Sequence, residues 1–150
     1  MHTLAVPLVL LTVAACAEHR APQLNESDYQ LRVVVRASTT SPRSGEGELT
    51  LIYAGIRDAD VCVQAWRYQL NRSQQQAEVD GIYDPPFEFT LRPGQAHSWV
   101  WPVKTADEIF GHTDDPVIYT FHLALYQGGC SGPKRATVNS VPSVLELTNP

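Results

Sequence analysis

The sequence predicts an all-β protein, an antiparallel two-sheet sandwich of the immunoglobulin-like kind with about seven strands. Three observations favour this class. Apolar and polar residues alternate along several short segments, turn residues separate these segments at near-regular spacing, and no segment shows a convincing amphipathic helical period. A small closed β-barrel is the alternative that the same pattern allows.

The first three strands follow from this alternation. Apolar side chains at every second position predict a half-buried strand over 29–37, and the period resumes over 49–53 after a glycine-rich interruption. A turn over 58–60 then leads into a third strand over 61–70. This third segment is rich in the β-branched and aromatic residues that favour strands.

The middle of the chain predicts two more strands, joined by a tight turn. The Asp-Pro-Pro segment at 84–86 is expected to break the chain, because proline lacks an N–H and restricts the residue before it. Strands are then expected over 87–91 and 99–103. The turn over 92–95 has proline and glycine at the positions that a type II turn favours.

The last third of the chain predicts a polar loop followed by two strands. The loop covers 104–116 and is expected to hold one helical turn around Ala106–Phe110. The segment 117–127 shows the clearest alternation in the chain, and a glycine pair ends it. A final strand is expected within Ser143–Thr148.

Length and composition set the class of protein. A chain of 150 residues with 43% hydrophobic and 18% charged residues has the size and polarity of one globular domain. The formal net charge of −5 argues against a nucleic-acid partner and against electrostatic adhesion to anionic lipid.

The first fifteen residues have the features of an export signal. The run Leu4–Ala15 is uncharged and twelve residues long. A spanning helix needs about 20 apolar residues, so this run has instead the length of a signal-peptide core. The residues that close it, Val13-Ala14-Ala15-Cys16, resemble the lipobox of bacterial lipoproteins.

The lipobox resemblance implies cleavage before Cys16 and lipidation of that residue. Its thiol would take a diacylglycerol and its freed amine an acyl chain, and several chains together hold a protein stably at a membrane. Ala17 follows, where lipoproteins retained in the inner membrane commonly have Asp, so the resemblance implies the outer membrane, facing the periplasm. The alternative is cleavage after Ala17, which would release a soluble periplasmic or secreted protein.

These features divide the chain into three parts. Residues 1–15 are expected to be the signal peptide, and residues 16–27 the lipidated cysteine and a flexible polar tether. Residues 28–150 are expected to form the β-sandwich domain.

The cysteine count agrees with export. With Cys16 assigned to lipid, Cys62 and Cys130 remain, and an even number in an oxidising compartment predicts a disulfide. The bridge would close a loop of about 69 residues. It predicts that the strands 61–70 and 117–127 are antiparallel neighbours, with Trp66 near Tyr126.

No catalytic, metal or cofactor site is predicted. Residues 128–132 match the letters G-x-C-x-G of a nucleophile elbow, but no helix follows, which favours a glycine-rich loop that holds the disulfide. The histidines form no close metal-ligand pair. The acidic loop over 104–116, with His112, matches no calcium-binding spacing.

Two non-catalytic functions remain open. The first is an envelope lipoprotein that scaffolds or binds another envelope component through a sheet edge or its end loops. The alternative is a lipoprotein that binds a small ligand or carbohydrate through surface aromatics. Its candidate residues are Trp66, Tyr68 and Tyr126, while Trp99 and Trp101 share one face and are expected in the core.

Overall fold

The computed structural model describes residues 25–38, 43–112, 114–132 and 134–148. Within these residues, a 3-10 turn at Glu26–Asp28 precedes nine strands and one short helix. Their bounds are β1 Tyr29–Ser38, β2 Ser44–Tyr53, β3 Ala59–Arg72, β4 Gln75–Leu91, β5 Ala96–Lys104, α1 Ala106–Phe110, β6 Ile118–Gln127, β7 Lys134–Asn139, β8 Ser143–Val144 and β9 Glu146–Thr148. No helix in these segments is long and apolar enough to cross a membrane.

The strands form two sheets that pack face to face. One sheet has the order β5-β2-β1-β9, and the other has the order β4-β3-β6-β7, with β8 paired to the start of β6. The paired strands are antiparallel, except that β9 runs parallel to β1. The predicted all-β sandwich is therefore confirmed, and the described strands do not close into a barrel.

The expected chain break at 84–86 is wrong, because β4 continues through these residues as a strand of 17 residues. The pairing of β3 with β4 shifts between Val63 and Ala65, whose partners are Phe87 and Ile82. The proline segment therefore falls in an interruption of the ladder, and β4 is an edge strand. Edges and bulges are the places where a sheet tolerates proline.

The predicted neighbourhood of the third and sixth strands is confirmed, since β3 and β6 pair antiparallel. The finer expectation that Trp66 lies near Tyr126 is wrong. Tyr126 is opposite Cys62, while Trp66 is opposite Leu123. A register shift in β3 after Val63 turns Trp66 toward the inside of the sandwich, while Tyr126 lies on the outer face.

The core consists of the inward-facing side chains of both sheets. Tyr68 and Phe121 lie at its centre, with ring centroids 5.0 Å apart. The Tyr68 hydroxyl accepts a hydrogen bond from the backbone N–H of Lys104 at 2.7 Å, which joins β3 to the end of β5. This bond gives the buried Tyr68 hydroxyl a hydrogen-bond partner and links the two sheets.

Buried phenols predict an alkaline limit to stability. Burial raises the pKa of Tyr29 and Tyr83 to about 12, and it also raises the pKa of Tyr53, Tyr68 and Tyr119. Unfolded tyrosines ionise near pH 10, so the stability from keeping these phenols neutral is complete below that pH. We expect it to be lost as pH rises from about 10 through about 12.

A pH titration that follows circular dichroism and phenolate absorbance together tests this expectation. The phenolate signal of the buried tyrosines should appear with the loss of folded structure. The variant Tyr29→Phe is the informative control, because this hydroxyl is buried and has no hydrogen-bond partner in the described residues. It should unfold at higher pH than the wild type. Ionisation of every tyrosine near pH 10 with the fold intact would contradict the argument.

Candidate functional site

A disulfide joins Cys62 near the start of β3 to Cys130 in the loop after β6, with their Cα atoms 5.0 Å apart. This is the predicted pairing. Gly128 and Gly129 have φ values of 88° and 89°, a left-handed conformation that glycine adopts without a steric penalty, and they turn the chain into this loop. Glu88 of β4 accepts a hydrogen bond from the backbone N–H of Cys130 at 3.1 Å.

The same corner holds a group of possible metal ligands. Among the described residues, one ligand atom each from Cys62, Glu88 and Cys130 lie within 4.8 Å of one another. Metals bind cysteine as the thiolate, and both sulfur atoms are used in the disulfide. In this oxidised state only the Glu88 carboxylate, of these three groups, remains available to a cation.

His97 and His112 lie at different places in the fold. His97 of β5 stacks on Phe89, with ring centroids 4.1 Å apart. His112 follows α1, where its Nδ1 is 3.2 Å from the Asp107 carboxylate. His97 pairs with Leu51 near the end of β2, whereas His112 lies beyond the far end of β5. The fold therefore does not bring His97 to the acidic loop that contains His112.

The predicted aromatic surface does not form. Tyr68 is 1% exposed and is a core residue, so its assignment as a ligand contact is wrong. Trp66 is half-buried and stacks on Tyr68, with centroids 5.6 Å apart and planes within 14° of parallel. Tyr126 lies on the other face of the same sheet. The register shift in β3 explains the error, because it reverses the faces that simple alternation assigns after Val63.

Trp99 and Trp101 instead belong to a row of aromatic side chains, here called the aromatic seam. It lies between β4 and β5, which are edge strands of the two sheets. The seam consists of Tyr83, Phe87, Phe89, His97, Trp99 and Trp101. Trp99 Nε1 donates a hydrogen bond to the Tyr83 hydroxyl at 3.0 Å, and the Tyr83 and Trp101 rings meet edge to face at 4.5 Å. Both tryptophans are half-buried and pack against the core, as the sequence predicts.

The outer face of the five-stranded sheet carries a groove of about 440 Å³. Two small outward-facing residues from neighbouring strands, Ala65 and Ala124, line it together with the backbone of Gly81. Small residues leave the space above a sheet unfilled, which explains the depression. Larger side chains border it, namely Arg67, Asp80, Ile82, His122 and Thr137.

Position 81 requires glycine. A Cβ atom at this position would lie 2.6 Å from Cζ2 of Trp66, which is closer than real Cβ contacts. Trp66 therefore packs over the backbone of β4 at a point where only glycine leaves room. The indole Nε1 of Trp66 is buried and has no hydrogen-bond partner in the part of the chain that the structure describes.

The groove combines an apolar side chain with polar ones. Ile82 is 69% exposed and is the exposed apolar side chain at the border of the groove. Arg67 Nε is 3.5 Å from the Glu78 carboxylate, and both side chains are about half exposed, so this ion pair contributes little to stability.

His122 has a defined hydrogen-bonding state. Its Nδ1 is 2.6 Å from Oδ1 of Asn139, and a carbonyl oxygen can only accept, so Nδ1 donates. In the neutral ring Nε2 is then an acceptor, and this buried atom has no hydrogen-bond partner among the described residues. A bound group that carries an N–H or O–H donor could therefore hydrogen-bond to His122 Nε2.

Comparison with known proteins identifies the architecture. No protein-family model and no curated protein sequence matches the chain. The structural-genomics target SoR45 has a TM-score of 0.57 and 13% identity, over 80% of this chain and 87% of that one. The target BeR40 from Bordetella pertussis, described as an ApaA protein, has a TM-score of 0.52 and 14% identity, over 80% and 94%. The chain therefore shares their β-sandwich fold, and at these identities the likeness shows the fold alone.

Proposed function

We propose that the chain is a membrane-anchored envelope lipoprotein whose sandwich scaffolds or binds another envelope component without catalysing a reaction. The signal peptide, Cys16 and most of the tether lie outside the described residues, so the anchor is supported by sequence. The support is the short uncharged run Leu4–Ala15 and the lipobox-like residues that close it. In this proposal the protein is held at the outer membrane and faces the periplasm.

The disulfide supports the export step. Disulfides persist in oxidising compartments such as the periplasm and are rare in the cytosol. The two cysteines other than Cys16 are the pair that the structure joins. Each of the three cysteines thus has a role in an exported lipoprotein, Cys16 in the anchor and the other two in the disulfide.

The groove carries the binding part of the proposal. Ile82 exposes most of its surface beside a concavity lined by small residues, although an aliphatic side chain gains free energy when it leaves water. A protein partner that places a side chain in the groove would cover Ile82 and meet Arg67 and Asp80 at its rim. Recognition surfaces commonly have such an apolar centre inside a polar border.

A pull-down with a matched pair of variants tests this function. The native protein is extracted from membranes, and Ile82→Glu is compared with Val100→Glu. Val100 is 57% exposed on the outer face of the other sheet, so both substitutions add one carboxylate to an exposed aliphatic position. We expect Ile82→Glu to lower partner recovery roughly tenfold, which is the effect of losing a central contact of an interface, and Val100→Glu to leave it unchanged. Equal recovery with both variants would contradict the proposal.

The groove volume also favours a second candidate function, the binding of a small ligand. A volume of about 440 Å³ falls within the range typical of ligand pockets. The ligand would contact Ile82 and His122, since the aromatic surface expected from the sequence is not formed. Native mass spectrometry of the extracted protein distinguishes this function from the binding of a protein partner. A bound small molecule would add its mass to the wild type, and the Ile82→Glu variant would lack this added mass.

A further inference from the structure

One end of the sandwich, here called the tether end, is where the described chain begins at Asn25. The loop 54–58 between β2 and β3 lies at this end, because the backbone N–H of Ala54 donates to the Asp28 carbonyl at 2.8 Å. The turn between β4 and β5 lies at the same end, since the Gly94 N–H donates a hydrogen bond to the Tyr53 carbonyl at 2.9 Å. In the proposed lipoprotein, Cys16 is nine residues before Asn25, a reach of at most about 30 Å. The tether therefore holds this end within about 30 Å of the bilayer.

Ile56 is presented at this end by a structured loop. It is 91% exposed, the highest value among the large hydrophobic residues that the structure describes. The Tyr53 hydroxyl donates a hydrogen bond to the Arg57 carbonyl at 2.7 Å, which spans the loop at this point. Gly55 lies against the Tyr53 ring so closely that a Cβ atom there would collide with it. These contacts fix the loop while they leave Ile56 in solvent.

We propose that Ile56 inserts into the membrane interface beside the lipid anchor, so that the tether end faces the bilayer. This inference rests on the proposed anchoring at Cys16. It accounts for an aliphatic side chain on the exposed tip of a loop, because the apolar part of the bilayer surface would cover it. The groove on the side of the sandwich then remains accessible to a partner.

The charges at the tether end indicate which kind of membrane contact to expect. Arg57 and Arg92 are exposed there. The acidic residues Glu26, Asp28, Asp58 and Asp60 lie at the same end and offset this positive charge. We therefore expect insertion into neutral lipid, driven by apolar burial, without a requirement for anionic headgroups.

A pair of tryptophan variants tests the orientation. Val144 is a suitable control for Ile56, because it is 56% exposed and pairs with Ile118, which lies opposite Asn71 near the end of β3. At about 3.3 Å per residue, β3 separates the two ends by roughly 40 Å. The full-length lipidated variants Ile56→Trp and Val144→Trp are placed in neutral phosphatidylcholine vesicles with brominated acyl chains, and the wild-type signal is subtracted.

The added tryptophan at position 56 is expected to be quenched by the brominated lipid at least about twofold more than the one at position 144, because the interfacial depth is only about 5–10 Å. Equal quenching in two variants whose mass shows the lipid on Cys16 would overturn the orientation and leave the anchor standing. A chain without the lipid mass would overturn both the anchor and the orientation.

Discussion

Replacement of Cys62 and Cys130 together by alanine is expected to lower the free energy of unfolding by about 4 kcal/mol. The bridge joins residues that are 68 positions apart, and without it the unfolded chain gains the conformational freedom of that loop. Cys62 is fully buried, so its truncation adds a small packing loss in the same direction. Urea denaturation of the double variant beside the oxidised wild type measures the difference.

The reduced wild type is the matched control for this prediction. It keeps both side chains and lacks only the covalent bond, so it should lose most of the same stability. A loss of less than about 1 kcal/mol in both samples would mean that the bridge hardly restricts the unfolded chain, against the chain-entropy account.

Replacement of Cys16 by serine is expected to remove the protein from the outer-membrane fraction. A serine hydroxyl cannot form the thioether that carries the diacylglycerol, and stable membrane attachment requires several acyl chains together. We expect the amount of the protein in the outer-membrane fraction to fall roughly tenfold or more, as measured by cell fractionation and immunoblotting.

The Cys62→Ala, Cys130→Ala double variant is the control for this second experiment. It lacks the other two cysteines and keeps Cys16, so the folded variant should remain in the membrane fraction. Retention of Cys16→Ser in the outer membrane at the wild-type level would show that the thiol does not carry the anchor.

The architecture is predictable from the sequence because a half-buried strand shows its period of two directly. The segments 29–37 and 117–127 correspond closely to β1 and β6. The sequence does not predict β7 as a separate strand, although Ala136 and Val138 alternate as buried residues within it. These are its only two apolar residues, which are too few to establish a period of two. The continuation of β4 through its prolines depends on an irregular pairing with β3, which no local pattern reveals.

The candidate site is harder to predict, for two physical reasons. The register shift after Val63 reverses the inward and outward faces of β3, so Tyr68 is buried where alternation places it outside. The groove is formed by β3, β4, β6 and β7, whose lining residues run from Ala65 to Thr137 along the chain. Its depression comes from small residues that become neighbours only through strand pairing. The pairing of Cys62 with Cys130 is predictable, because it follows from the number of cysteines and from their positions at the ends of two strands.

Intact-mass spectrometry of the protein extracted from membranes tests the proposed anchor most directly. The expected result is a chain that begins at Cys16 and carries a diacylglycerol on its thiol and an acyl chain on its amine, with Cys62 and Cys130 lacking two hydrogens as a disulfide. A chain that begins at Glu18, or that retains Met1, without added lipid mass would contradict the account.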